Sequence, residues 1–148
     1  MIPTLRLLEH VHGHLGWLAV AALLHPAIVL RNPKRRALLS VALSTSFVVA
    51  AGLLGAEIYP SYRQKLKQGI FIHAPTLGWC FERKEHLAVG AIALALVGCA
   101  AHLAAFRVSD AEVGAMLAKG AHRAYVAAFA LALGVACLGV VVASYRTF

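Results

Sequence analysis

The chain has 148 residues, of which 61% are apolar and only 14% are charged, and its mean hydropathy is +0.76. A soluble domain is roughly 45–50% apolar and roughly 25% charged. Six acidic and fourteen basic side chains cannot cover so much apolar surface in water. The composition therefore excludes a water-soluble enzyme, a nucleic-acid-binding domain and a disordered tail, and it favours helices that lie in a lipid bilayer.

The charge distribution and the cysteines further restrict the classes of protein to which the chain can belong. The net charge of +8 comes from basic residues between apolar stretches, where such residues set membrane topology and contact anionic headgroups. The three cysteines, Cys80, Cys99 and Cys137, form no CxxC pair, which argues against a thiol redox protein that needs paired cysteines. Cys99 and Cys137 lie in apolar stretches and are predicted to be small packing residues.

Four stretches are long enough to cross a bilayer, which takes about 20 residues. They are predicted to cover residues 7–30, 37–59, 85–106 and 122–145. The second stretch is expected to stop at Pro60, and residues 61–83 are interpreted as an interfacial loop with room for a short amphipathic helix. Residues 107–120 contain a candidate N-cap at Ser109 and Asp110, which predicts a short helix lying on the membrane.

The predicted fold is a single all-α domain: an integral membrane four-helix up-down bundle with an interfacial loop between helices two and three. The first stretch is expected to be a spanning helix rather than a cleaved signal peptide. An even number of spans puts both termini on one side of the membrane. Because Arg6 precedes the first span whereas Arg31, Lys34, Arg35 and Arg36 follow it, that side is expected to be the outside.

Eight histidines in so apolar a chain are the main functional signal, since ionisable groups inside membrane segments are costly and usually functional. In an up-down bundle these histidines form two layers. The first layer consists of His10, His12, His14, His73 and His86, and the second consists of His25, His102 and His122. At about 100° per residue, His10, His14 and His25 share one face of helix one, and His12 points elsewhere.

Helix three carries two strips of small residues, one in line with each of its histidines. His86 shares its strip with Gly90, and His102 shares the other with Gly98. Such strips let a second helix or a porphyrin approach closely. Because the two histidines differ by about 160° in direction, one straight face cannot present both, and a second site that uses His122 from helix four would relieve this conflict.

Two imidazoles from facing helices are the axial ligands that a b-type haem needs, and a bundle core supplies a dry slot for it. The sequence predicts one haem site from His14 and His86. It predicts a second site from His25 with His102 or His122. Each pair combines residues of helix one with residues of another helix at the same depth.

These sites lead to the favoured function. Arg83, Lys84, Arg107 and Arg123 lie near the polar edges of the spans, where basic residues would meet haem propionates. We expect a small membrane b-type cytochrome, or a cytochrome-like subunit, that carries electrons between a quinol and a partner. Its expected location is a bacterial inner membrane.

The stretch EHVHGHLGW at residues 9–17 resembles the ExxHxxxG signature of the haem A synthase family, with Glu9, His12 and Gly16 at the matching positions. Gly13 stands where that family usually has an arginine, and the match covers about two turns of one helix. The resemblance implies a four-helix bundle that handles haem. It favours His12 over His14 as the ligand.

Two other functions are compatible with the sequence. His10 and His14 share the i, i+4 spacing of Glu82 and His86, and together these four residues could hold a zinc, iron or copper ion. Alternatively, the chain is a non-catalytic accessory subunit that packs against a larger membrane complex, or against a second copy, through its Gly/Ala strips. A haem protein requires histidines in opposed pairs at equal depth, whereas an accessory subunit predicts histidines that face scattered directions.

Overall fold

The computed structural model describes residues 3–144, and the side chains of residues 5–64 and 67–144. Its helices are α1 (Pro3–Val29), α2 (Leu38–Tyr62), α3 (Gln68–His73), α4 (Pro75–Ala105) and α5 (Ala111–Ser144). Four of them, all except α3, are long and apolar enough to cross a membrane. The all-α four-helix architecture predicted from the sequence is therefore confirmed, and the chain is a multi-pass membrane protein.

The segment between the second and third spans is helical over nearly its whole length. The α2 helix does not stop at Pro60 but continues to Tyr62, and a π-helical turn over Arg63–Lys67 leads into α3. Ala74, with φ of −148°, breaks the chain direction before α4 begins. Proline is favoured at the first helical position because its missing N–H needs no partner there, so α4 begins at Pro75 rather than near residue 85.

The last helix also begins earlier than the predicted fourth span. The Asp110 carboxylate accepts hydrogen bonds from the backbone N–H groups of Glu112 and Val113, at 2.8 and 3.1 Å, and such caps stabilise a helix by about 1 kcal/mol. The helix expected on the membrane surface is therefore the start of α5, and His122 lies inside this helix rather than at its beginning. Tyr145, close to the predicted end, lies outside the described residues.

The four spanning helices form a ring in which α1 and α4 are diagonal. The α1 helix packs against α2 and α5, and α4 packs against the same two helices. One end of the bundle holds the start of α1 and the connection between α2 and α4, and we call it the first end. The second end holds the α1–α2 and α4–α5 loops, which cover residues 30–37 and 106–110.

Tyr125 occupies the centre of the bundle. Its side chain and that of Leu23 are fully buried, with 0% exposure. The Tyr125 hydroxyl lies 2.7 Å from Thr45 Oγ1 on α2 and donates to the Val41 carbonyl at 3.3 Å. A Cβ placed on Gly98 of α4 would meet the Tyr125 ring at 3.0 Å. The small residues of α4 thus make room for a ring that connects α5 to α2 across the bundle.

Candidate functional site

The first predicted haem pair is not brought together. His14 and His86 lie on the diagonal helices α1 and α4, and both side chains are exposed on the outside, as is His10. His86 Nδ1 donates a hydrogen bond to the backbone carbonyl of Glu82 in its own helix, at 2.7 Å. His73 is also exposed, at the end of the short helix α3.

His12 is the histidine at the start of α1 that points into the bundle. Its Nδ1 lies 3.0 Å from the backbone carbonyl of Ala51 on α2. Because a carbonyl oxygen only accepts, the proton is on Nδ1 and Nε2 is the acceptor. The His12 ring also lies against Gly55, where a Cβ would be 3.0 Å from Cε1. The predicted haem pair used His14 as a ligand, whereas the resemblance to haem A synthases favoured His12. In the structure His12 faces protein and His14 faces outward.

A cluster of aromatic and charged residues joins the π-helical turn to α4 at the first end. Lys67 forms an ion pair with Glu82, and its ammonium donates a hydrogen bond to the Tyr59 hydroxyl at 3.5 Å. The hydrogen bond to Glu82 raises the pKa of Lys67 above its ordinary value. The rings of Tyr59 and Tyr62 both stack on Phe81, with centroids 6.5 and 4.5 Å away. These contacts connect the end of α2 and the π-helical turn to the start of α4.

Lys84 brings a charge to the same end, between α4 and α5. Its ammonium lies 5.1 Å from the centroid of the Phe81 ring. Its aliphatic stem passes Gly139 of α5, where a Cβ would be 3.9 Å from Lys84 Cδ. Lys84 is therefore turned into the bundle, whereas its neighbour Arg83, a predicted propionate partner, is exposed.

Two histidines of the second layer lie on adjacent helices. Gly98 faces Tyr125 across the α4–α5 pair, so His102, one turn after Gly98, and His122, one turn before Tyr125, lie at similar depth. His102 is 1% exposed, and neither its Nε2 nor Nδ1 of His122, both buried, has a hydrogen-bond partner in the described residues. Since buried polar atoms are normally paired, these two nitrogens are an unusual feature of the bundle.

The third histidine of that layer is separated from them. His25 lies on α1 and is exposed, and its Nδ1 is 2.7 Å from the Ser40 hydroxyl on α2. His102 instead contacts the Phe106 ring edge-on, with centroids 5.0 Å apart. The predicted pair of His25 and His102 thus spans the diagonal of the bundle, and Arg107 and Arg123, the propionate candidates at this end, are both exposed.

As the helices are packed, the space between the diagonal helices α1 and α4 is not open to a haem. The space between α1 and α4 is filled by Leu23 and Tyr125. The strip that contains Gly98 faces Tyr125, and Gly90 faces another α5 side chain, which a Cβ would meet at 3.1 Å. A haem beside His102 would have to displace the side chains that cover this residue. The strip that contains Gly98 is therefore occupied by α5 rather than open as a slot, whereas Ala93 and Ala100 of the other strip are exposed.

The four residues of the metal hypothesis are also apart. His10 and His14 point outward from α1, and the Glu82 carboxylate is bound to Lys67. Across residues 3–144, no three His, Cys, Asp or Glu side chains are grouped so that they could hold a metal ion.

The hydrogen bonds of α2 inside the bundle were not predicted. The Ser44 hydroxyl donates to the backbone carbonyls of Ala22 and Ser40, at 2.7 and 2.6 Å, and Thr45 pairs with Tyr125. The signal was present as the run Ser44–Thr45–Ser46 within an otherwise apolar span, since hydroxyl side chains often connect membrane helices.

Comparison with protein-family models, with curated proteins and with solved structures finds no match to this chain. The likeness to haem A synthases therefore stays confined to residues 9–17 of α1.

Proposed function

We propose that the chain is a non-catalytic accessory subunit that packs against a larger membrane complex through the outer face of α1. This face consists of the exposed residues His10, Gly13, His14, Trp17 and Ala21. The observation that carries the proposal is the position of His14. It lies eleven residues after the start of a 27-residue helix, about 16 Å along its axis, and is exposed on the outside.

An exposed imidazole within the candidate span Leu5–Val29 needs a polar partner. A titratable side chain that faces lipid is costly, and such residues normally face protein or water. A hydrogen bond to a neighbouring membrane helix contributes about 0.6–2 kcal/mol. Gly13 has no atom within 4 Å of the position where a Cβ would lie, so a second backbone can come close, as small residues permit in membrane interfaces. Trp17, 45% exposed, adds an aromatic side chain to that contact.

The directions of the histidines support the same role. His12 faces α2, His102 is buried, and His14 and His86 are exposed on different helices. Scattered directions are what an accessory subunit predicts, because its histidines serve local contacts and not one shared cofactor.

The test is crosslinking in intact cells from a photoreactive residue at Trp17. We expect one discrete adduct with a membrane protein, and we expect it to comigrate with a larger complex on native gels. In the His14→Leu background the adduct should fall about tenfold, as for loss of one interface residue of about 1.4 kcal/mol. His86→Leu is the matched control, because it makes the same change at an exposed histidine of α4, and it should leave the adduct unchanged.

Three outcomes would contradict the accessory role. Adducts with a second copy alone would indicate a homo-oligomer. Adducts with lipid alone would mean that the outer face of α1 has no protein partner. An equal loss in the His14 and His86 variants would show that the substitutions disturb the membrane protein in general rather than its interface.

A b-type cytochrome in a bacterial inner membrane is the second candidate, favoured by the two buried nitrogens of His102 and His122 that lack partners. It predicts that the protein purified from haem-supplied cells is red and that dithionite produces the bands of a low-spin haem. His102→Ala should then abolish those bands, since a six-coordinate centre needs both axial imidazoles. His73→Ala, at an exposed position, should retain them. A colourless but folded preparation would exclude this candidate.

A further inference from the structure

A groove of about 990 Å³ lies between α1 and α2 at the second end. Apolar side chains form most of its walls, including Ile28, Leu39, Leu43 and Phe47. Arginines line it where the α1–α2 loop crosses its end. We infer that this groove binds an anionic phospholipid, with an acyl chain along the apolar walls and the phosphate at Arg31 and Arg35.

The basic end of the groove is held in a defined shape. Arg31, Arg35 and Arg36 all line it. The loop that carries them is closed by a hydrogen bond from the Arg35 N–H to the Asn32 carbonyl, at 3.1 Å. The Arg36 guanidinium lies 4.9 Å from the centroid of the Phe106 ring, which ties the loop to the end of α4. The guanidinium groups of Arg31 and Arg35 are therefore presented to the groove by a short, ordered turn.

Charge complementarity identifies the occupant. Within the described residues, no carboxylate lies within ion-pair distance of Arg31 or Arg35. Arginine binds phosphate oxygens through two parallel hydrogen bonds, and basic pockets between membrane helices hold anionic lipid headgroups. The positive charge at this end of the groove is thus matched by a lipid phosphate.

The position of the groove favours a lipid over a compact ligand. Its walls belong to the ends of two spanning helices, and its basic residues belong to the loop that joins them. A phospholipid in the surrounding leaflet has the same arrangement, because its phosphate lies at the membrane surface and its acyl chains lie in the apolar interior. It can enter from the side without leaving the bilayer. This binding does not depend on the accessory role of the outer face of α1.

Native mass spectrometry of the detergent-purified chain tests the site, with phosphatidylglycerol and phosphatidylcholine as the two probes. We expect preferential binding of phosphatidylglycerol. The Arg31→Gln/Arg35→Gln variant should bind it about thirtyfold more weakly, since each basic residue contributes roughly fivefold. Arg63→Gln/Arg83→Gln removes the same charge from exposed arginines at the first end and should leave the affinity unchanged.

A second variant tests the apolar part of the groove. Leu43→Trp adds bulk to the groove wall and should reduce phosphatidylglycerol binding at least tenfold, whereas Leu53→Trp changes an α2 leucine outside the groove and should not. Equal binding of both lipids, or an equal loss in the two arginine variants, would overturn the proposal. Unchanged binding of phosphatidylglycerol by the Leu43→Trp variant would also overturn the proposal, as would displacement of the lipid by millimolar inorganic phosphate. Either result would indicate a phosphate site without an acyl-chain groove.

Discussion

Replacing Gly98 with leucine is expected to prevent the bundle from assembling. A Cβ on Gly98 would already lie 3.0 Å from two ring carbons of Tyr125 and 3.3 Å from Ala124 Cβ. The ring cannot move aside easily, because its hydroxyl is hydrogen-bonded to Thr45 and Val41. Overpacking usually costs about 1–3 kcal/mol, and a leucine between two helices should cost at least the upper value. The measurement is the yield of monodisperse protein on size exclusion.

The control for this substitution is Gly120→Leu on α5. Gly120 is exposed, and no atom lies within 4 Å of its Cβ position. Leucine there also removes a glycine from a helix interior, which by itself favours the helix. We expect a yield like that of the unmodified protein. If Gly98→Leu gave the same yield, the close contact of α4 with Tyr125 would be wrong.

Replacing Tyr125 with alanine should have a comparably large effect. The side chain is fully buried at the centre of the bundle, and truncating a large buried aromatic residue costs about 3–5 kcal/mol because it leaves a cavity. The change also removes the hydroxyl that pairs with Thr45. The expected result is a much lower midpoint in thermal or detergent-induced unfolding.

Tyr125→Phe separates the ring from the hydroxyl. It keeps the packing and loses the hydrogen bonds of the hydroxyl to Thr45 and Val41, so the expected cost is about 1 kcal/mol for each bond. Combining it with Thr45→Val should cost less than the sum of the two single changes, because both remove the same contact. Equal destabilisation by Tyr125→Phe and Tyr125→Ala would show that the ring does not fill the centre.

The limits of the helices show where prediction from composition fails. The four spans were recognisable because each is a long apolar stretch. Their ends were not, because charged residues such as Lys67 and Glu82 suggested a loop. In the folded chain, Lys67 pairs with Glu82 and Asp110 caps α5, so helices extend through residues that no apolar pattern marks.

The sequence by itself determined which side chains of a helix point in the same direction. The helical repeat alone places His10, His14 and His25 on one face of α1 and His12 on another. In the structure the first three are exposed, although His25 also contacts Ser40 of α2, and His12 is turned toward Ala51 of α2. The small residues of α4 marked two strips, of which the one with Gly98 is buried against α5, whereas Ala93 and Ala100 of the other are exposed.

Only the tertiary structure decided which face of each helix is inside and which helices are neighbours. The face with three histidines was expected to point inward because imidazoles are costly in lipid. In the fold, α1 instead buries Ala19, Leu23 and Ala27, and its contacts with α2 and α5 leave α4 on the diagonal. The Tyr125 ring of α5 fits against Gly98 of α4. These two residues are far apart in the chain, so no local sequence pattern shows that they fit together.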